Sequence, residues 1–381
     1  MKIRKIKLLA LHIPFKAEFS HASKKRTSTE TLICAVETSN HIGFGEGCPR
    51  DYVTSEDYGT AKNFFSIIIA DIPELDSFQT LKEFVKKNQH VIDKNPAAWC
   101  AIETALLDVL AKERQVSVRG LLFNPEESRQ LVANQRFIRC TAVFGISSDK
   151  GSVKRFVDRY KQLGFVDFKI KITGKLSQDL YLIQSINDLV PNSRIRIDAN
   201  NLWENEKLAL NYLGVVRENV WAVEEPLRSR SLVDYRRLYS DCGIKIILDE
   251  SFKKIDDILY LDDCFIPNLR ISKLGGLLRA TEITEILVKR GRGFIIGCHV
   301  GETSILTACQ MIVASMYPQG LLAFEGGFSS YLLETDISKP ELKFNSKGLL
   351  DISDLKGSGL GVNVEFSDRY LEQLCIFEMP Q

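Results

Sequence analysis

Apolar and polar positions divide the chain into two grammars. Up to about residue 130 the sequence opens with short extended runs. Ile6 to Ile13 is apolar-rich, and Thr31-Leu32-Ile33-Cys34-Ala35-Val36-Glu37 leads through Ser39-Asn40-His41 to Gly43-Phe44-Gly45-Glu46-Gly47. Such runs separated by turn residues predict an antiparallel meander. Trp99, Ile102, Leu106, Val109 and Leu110 then recur at helical spacing behind Asn95-Pro96, a helix start signal. Residues 1–130 therefore read as an α+β unit.

From about Arg139 short β-rich runs alternate with amphipathic, helix-length stretches. The expected strands are Cys140–Phe144, Val166–Lys171, Arg194–Asp198, Trp221–Glu225, Lys245–Asp249, Asn268–Ser272, Gly293–Gly297 and Leu322–Glu325, numbered 1 to 8 below. This alternation predicts an α/β fold with parallel strands, a modified TIM barrel of (β/α)7β type over residues 131–335, capped by the α+β unit. The eighth helix is weak. The tail, about 336–381, holds Leu342–Phe344 and Val362–Phe366 and is expected to turn back and complete the cap. The barrel units do not resemble one another, so their regular spacing is not a solenoid repeat.

Composition narrows the partners. The chain has 381 residues, too many for one compact core, with 45% hydrophobic and 26% charged residues, the balance of a soluble globular protein. A net charge of +1 argues against nucleic acid or an anionic membrane as the main partner. The longest apolar stretch, Phe64 to Ala70, is too short to span a bilayer, and Met1 to Lys7 lacks the apolar core of a signal peptide. Nine scattered cysteines form no Cys-x-x-Cys pair, so neither a disulfide framework nor a structural zinc site is expected, and a reducing cytoplasm is.

The chemistry is expected at the C-terminal ends of the strands, where barrels of this type carry their active sites. Asp198, Glu224 and Asp249 end strands 3, 4 and 5 at spacings of 26 and 25 residues. A single strand-end carboxylate usually caps a helix or pairs with a lysine, but three in register converge on one point. Hard oxygen donors without Cys or His suit Mg2+, with water and substrate completing the octahedron. Lys169 and Lys171 lie two apart on strand 2 and so share one face. Two ammonium groups that close are expected to depress each other's pKa toward that of a usable base. Alone, a Lys-x-Lys strand reads as an exposed edge. Lys273, following strand 6 on the opposite side of the barrel, argues for paired amines flanking a metal-held substrate.

Lys-x-Lys, Asp-x-Asn (Asp198, Asn200), Glu-x-Pro (Glu224, Pro226), Asp-Glu-Ser (Asp249, Glu250, Ser251) and Lys-x-Gly-Gly (Lys273 to Gly276), in this order, resemble the enolase superfamily and specifically its muconate lactonizing enzyme subgroup. The similarity extends over almost the whole chain, including Gly45-Glu46 and Gly359-Leu360-Gly361. It implies a Mg2+-dependent enzyme, with Mn2+ as an alternative ion, that removes the proton α to a small-molecule carboxylate. By that resemblance Asp198, Glu224 and Asp249 bind metal, Lys171 and Lys273 are the acid/base pair, and Lys169 stabilises the enolate. A lysine at 273 separates the chain from the mandelate racemase subgroup, which uses a His–Asp pair.

The resemblance also implies that cap segments, here about Phe15–Arg26 and Cys48–Thr54, shape specificity. Arg26 is the expected clamp for a second acidic group, with a solvated basic loop (His21, Lys24, Lys25) as the plain alternative. Phe19 and Tyr52 are candidate pocket walls. Dipeptide epimerases carry Asp-x-Asp on strand 8, whereas this chain has Phe324-Glu325-Gly326-Gly327. Glu325 is therefore the candidate for a substrate ammonium, and the two glycines are expected to leave room for a bulkier group. Asn200, Glu250, His299 and Glu302 complete the substrate-facing candidates. Racemization or epimerization of an amino-acid derivative, or cycloisomerization, is the expected reaction, and assembly as a homo-oligomer is expected. The alternatives are an o-succinylbenzoate-type β-elimination, a Schiff-base lysine aldolase that survives EDTA, and a binding barrel without catalysis.

Overall fold

The computed structural model describes residues 1–20, 25–123, 136–145 and 150–378. Eight parallel strands form one sheet in sequential order: Thr141–Phe144, Asp167–Lys171, Arg194–Asp198, Ala222–Glu224, Lys245–Leu248, Phe265–Leu269, Phe294–Ile296 and Leu321–Phe324. Among the described residues no ladder joins strand 8 to strand 1, so the barrel is nearly closed. Strands 2 and 6 stand four places apart in this ring of eight, on opposite walls.

Strand 6 starts and ends three residues earlier than expected. Pro267, which cannot donate to a ladder, masks the strand in the sequence. The buried run Phe265-Ile266-Pro267 nevertheless aligns with Ile246 to Leu248 of strand 5. Arg270 to Lys273 consequently lie in the turn beyond the strand, at the barrel mouth.

The cap is an antiparallel sheet in the order Leu371–Glu378, Lys5–Leu11, Thr31–Glu37 and Ile42–Gly47. The strand from the C-terminal tail is thus built into the sheet begun by the N-terminus. The helix Pro96–Glu113 covers this sheet with sixteen buried residues between Pro96 and Ala111. Its close approach explains the alternating glycines at 43, 45 and 47. A Cβ on Gly45 would sit 2.1 Å from the Ala101 carbonyl oxygen, and one on Gly47 would sit 1.9 Å from that of Ala97. Small residues at every fourth helical position face glycines at every second strand position, and backbone packs on backbone.

Between those glycines Glu46 points across to the barrel. It accepts from the Thr303 amide at 3.0 Å, the Thr303 hydroxyl at 2.7 Å and the Leu306 amide at 3.2 Å. A cap carboxylate thus satisfies free donors at the start of the barrel helix Ser304–Met316. Glu103, from the cap helix, does the same for Leu278 at 2.9 Å. Gly276 must be glycine there, since its Cβ would lie 2.4 Å from Glu103 Oε1 and its φ is +107°. All nine cysteines are free, and no helix among the described residues is long and apolar enough to cross a membrane.

Candidate active site

Strand alternation sends Asp167, Lys169 and Lys171 into the barrel interior. Beside them, on strand 3, Arg196 is fully buried and donates to Asp167 at 2.8 Å and to Glu325 at 2.5 Å. Lys169 donates to Glu224 Oε1 at 2.8 Å and stands 3.3 Å from Asp198 and 3.4 Å from Glu325. Burial alone would lower Lys169, but these three carboxylates raise it well above the ordinary lysine value. The expectation that Lys169 and Lys171 depress each other therefore holds for one of them only. Lys171 is lowered, by burial first and, against the pull of Asp198, by the charges of Lys169 and Arg270. It has no hydrogen bond or ion pair among the described residues, whereas Lys169 is saturated.

On the opposite wall the Lys273 amine lies 2.9 Å from Asp249 Oδ1, 2.6 Å from the Asp249 carbonyl and 2.9 Å from the Asn268 carbonyl. Burial lowers it despite Asp249. Against its own burial, Asp249 is pulled well below the usual carboxylate range, by Arg270 first and then by this Lys273 pairing. Arg270, which the sequence reading did not single out, donates to Asp249 Oδ2. It follows a strand whose end was misplaced, so its position at the mouth was hidden.

Asp198, Glu224 and Asp249 occupy the ends of adjacent strands and repel one another. Each is turned to a neighbouring cation, and the three do not form a group within 4.8 Å of one another. Glu224 is driven well above the usual range by burial and by the other two acids. Its Oε2 is buried without a hydrogen-bond partner. An orphaned carboxylate oxygen among mutually repelling acids, with hard donors only, fits a divalent cation of the Mg2+ type.

The neighbouring residue, Glu225, builds the next strand end. With φ +41° its side chain turns away from Glu224. It accepts from the Asp249 amide at 2.8 Å, the Ser251 amide at 2.7 Å, the Ser251 hydroxyl at 2.8 Å and the Tyr235 hydroxyl at 2.9 Å. Glu-x-Pro thus supplies one acid to the mouth and a second that fixes the following Asp-Glu-Ser. Asn200 donates to Asp198 Oδ1 at 2.5 Å, so it orients a site acid. Glu250 is buried, with Oε2 unpartnered and its carboxyl pushed up to about 7 by burial and by Asp249.

Several substrate-facing candidates are otherwise engaged. Glu325 is ion-paired to Arg196 and Lys169 inside the barrel. Arg26 is buried and paired with Glu30. The Phe19 side chain, His21, Lys24 and the Lys25 side chain lie outside the described residues, although the backbone of Phe19 registers against Arg26 in the hairpin Pro14–Ser20/Lys25–Ser28. Tyr52 is half-buried in the turn after Arg50. The room expected at Gly326 and Gly327 is filled. A Cβ at Gly326 would meet Gln310 Oε1 at 2.6 Å, and one at Gly327 would meet Leu350 at 3.0 Å. His299 and Glu302 are buried beside each other, with Nδ1 to Oε1 at 3.1 Å. Arg50 locks this loop to the cap by donating to the carbonyls of Val300 at 3.0 Å, Glu30 at 2.6 Å and Pro49 at 2.8 Å.

A capped parallel barrel whose mouth sets three acids between two lowered amines defines a barrel enzyme of the acid–base type. The chain belongs to the Enolase C-terminal domain-like family, whose model matches residues 152–368. It is 26% identical over 370 residues to the hydrophobic dipeptide epimerase of Enterococcus faecalis, covering 94% of this chain and 99% of that protein. It is equally 26% identical over 397 residues to the o-succinylbenzoate synthase of Bacillus subtilis, covering 99% of each. Among solved structures, the Enterococcus faecalis dipeptide epimerase complexed with Mg and the dipeptide L-Leu-L-Tyr superposes with a TM-score of 0.78 at 24% identity, over 95% of this chain and 99% of that one.

Proposed function

We propose that this protein is an isomerase that moves the proton α to a carboxylate, racemizing or epimerizing an amino-acid derivative. The observation that carries the reading is the pair of lowered amines, Lys171 and Lys273, on opposite walls of the barrel with the three carboxylates between them. Membership of the family and the epimerase relative support it.

Abstraction of such a proton places a second negative charge on the substrate. Asp198, Glu224 and Asp249 would hold Mg2+, or Mn2+ in its place, which supplies Lewis-acid stabilisation of that charge. Lys169, held cationic by Glu224, Glu325 and Asp198, adds a fixed positive charge on the strand 2 side. Lys171, lowered and without a partner, takes the proton from one face. Lys273 returns a proton to the other face or, for the opposite stereoisomer, begins the reaction. Use of one lysine alone gives cycloisomerization or β-elimination. The β-elimination reading is favoured by the likeness to o-succinylbenzoate synthase across the full chain. The nine scattered cysteines support a reducing cytoplasm as the setting of the proposed reaction, and we take the working unit to be a homo-oligomer.

The test is α-proton exchange in D2O over dipeptide, N-acyl amino acid and muconate-like libraries. Wild type exchanges the α-proton of its substrate. Lys171→Ala and Lys273→Ala each lose exchange from one stereoisomer by ~10²–10⁴-fold, the usual worth of a general base. Equal and undiminished exchange in both variants overturns the two-base assignment.

A further inference from the structure

The cap and the barrel meet at a second cluster that the isomerase chemistry leaves unused. Cys48, at the end of the cap strand Ile42–Gly47, and His299 and Glu302, beyond strand 7, each offer a ligand atom, and these atoms lie within 4.8 Å of one another. All three residues are buried.

The donor set differs in kind from the acids at the mouth. One sulfur, one imidazole nitrogen and one carboxylate oxygen suit a borderline cation such as Zn2+. The 3.1 Å between His299 Nδ1 and Glu302 Oε1 is close to the ligand separation that a tetrahedral ion with bonds of about 2.0–2.2 Å needs. The Cys48 sulfur stands within 4.8 Å of a ligand atom on each of the other two residues. Burial pushes the Cys48 thiol well above its ordinary value and the Glu302 carboxyl up to about 8, so a bound ion would displace both protons; the thiolate and carboxylate then neutralise its 2+ charge. Burial first, and then Arg270 and Arg50, keep His299 neutral, the form that ligates. The surroundings already orient the ligands: Gln310 Nε2 donates to Glu302 Oε2 at 2.6 Å, the His299 amide to Oε1 at 2.6 Å, and the Cys48 amide to Ser272 Oγ at 2.7 Å. The remaining imidazole nitrogen, Nε2, is buried without a partner.

We propose that Cys48, His299 and Glu302 form a second cation site, selective for zinc-like ions over Mg2+, that ties the cap to the barrel. Its ligands come from positions 48, 299 and 302, so no local cysteine spacing announces it. The proposal uses none of Asp198, Glu224 and Asp249 and stands independently of the isomerase reading.

Co2+ is the probe. Wild type in excess Mg2+, given one equivalent of Co2+, develops a near-ultraviolet thiolate-to-cobalt charge-transfer band and visible bands of tetrahedral intensity. Zn2+ removes them and raises the melting temperature. Cys48→Ser loses the charge-transfer band and the zinc-dependent rise. His299→Asn weakens Co2+ binding at least tenfold. A thermal melt in Mg2+ alone shows whether each variant is folded. Absence of the band in folded wild type, or its persistence in Cys48→Ser, overturns the proposal.

Discussion

Glu225 provides the sharpest test of how the site is built. Its carboxylate accepts two backbone amides and two hydroxyls in a buried setting. In Glu225→Ala the Ser251 and Tyr235 hydroxyls can rotate to other acceptors, but the amides of Asp249 and Ser251 are fixed by the chain. Each buried donor left unpaired costs ~1–3 kcal/mol, so with the added cavity the loss is about 3–5 kcal/mol. In Glu225→Gln the amide oxygen takes the place of Oε1 and still serves both amides, while its NH2 faces hydroxyls that can turn to accept. That change costs about 1–2 kcal/mol. Denaturant unfolding followed by tryptophan fluorescence measures both. The same displacement moves Asp249, so Mn2+ affinity falls in the order wild type, Gln, Ala. The reasoning fails if Gln and Ala fall within about 0.5 kcal/mol of each other, because the fixed amides would then have found partners elsewhere.

Three further outcomes follow from the packing and the charges. Gly45→Ala drives a Cβ into the Ala101 carbonyl and the Ala105 amide; both contacts are backbone, so it destabilises by about 3 kcal/mol, at the upper end of overpacking, and a melting temperature equal to wild type would show that the helix yields freely. Arg196→Met strands Asp167 and Glu325 without their shared cation and costs about 3–5 kcal/mol, whereas adding Glu325→Met recovers part of that loss; a double variant as unstable as the sum of the two single ones would deny the coupling. Burial pushes Glu46, Glu56 and Glu103 up to about 7. Such carboxyls stabilise the fold most below their unfolded value near 4.5 and lose that contribution as pH rises through about 7. Glu103→Gln therefore flattens the decline in stability between pH 5 and 8 by up to about 3 kcal/mol; an unchanged pH profile would mean that Glu103 ionises in the fold as it does in the unfolded chain.

The strand-and-helix alternation after Arg139 and the acids at 198, 224 and 249 were legible because barrel units repeat their geometry locally. A strand end recurs at nearly constant spacing, and its last polar residue faces the mouth. Strand 6 was misplaced because the signal is the hydrogen-bonding partner, and Pro267 removes the local cue while the ladder to strand 5 persists. The glycines at 43, 45 and 47 were visible as a pattern without a reason, because the reason is a helix some fifty residues away. The openness expected at Gly326 and Gly327 failed because an absent side chain shows only that space exists, not that Gln310 and Leu350 fill it.

Local sequence thus decided which element each residue belongs to and which chemistry a strand end can carry. Tertiary structure decided the charge state and the partner of each group. It separated Lys169 from Lys171, two residues apart on one face, into a saturated cation and a free, lowered amine. It spent Arg26 and Glu325 on Glu30 and Arg196, and brought Arg270 to Asp249. Burial and through-space charge set these outcomes, and both depend on which distant segments meet.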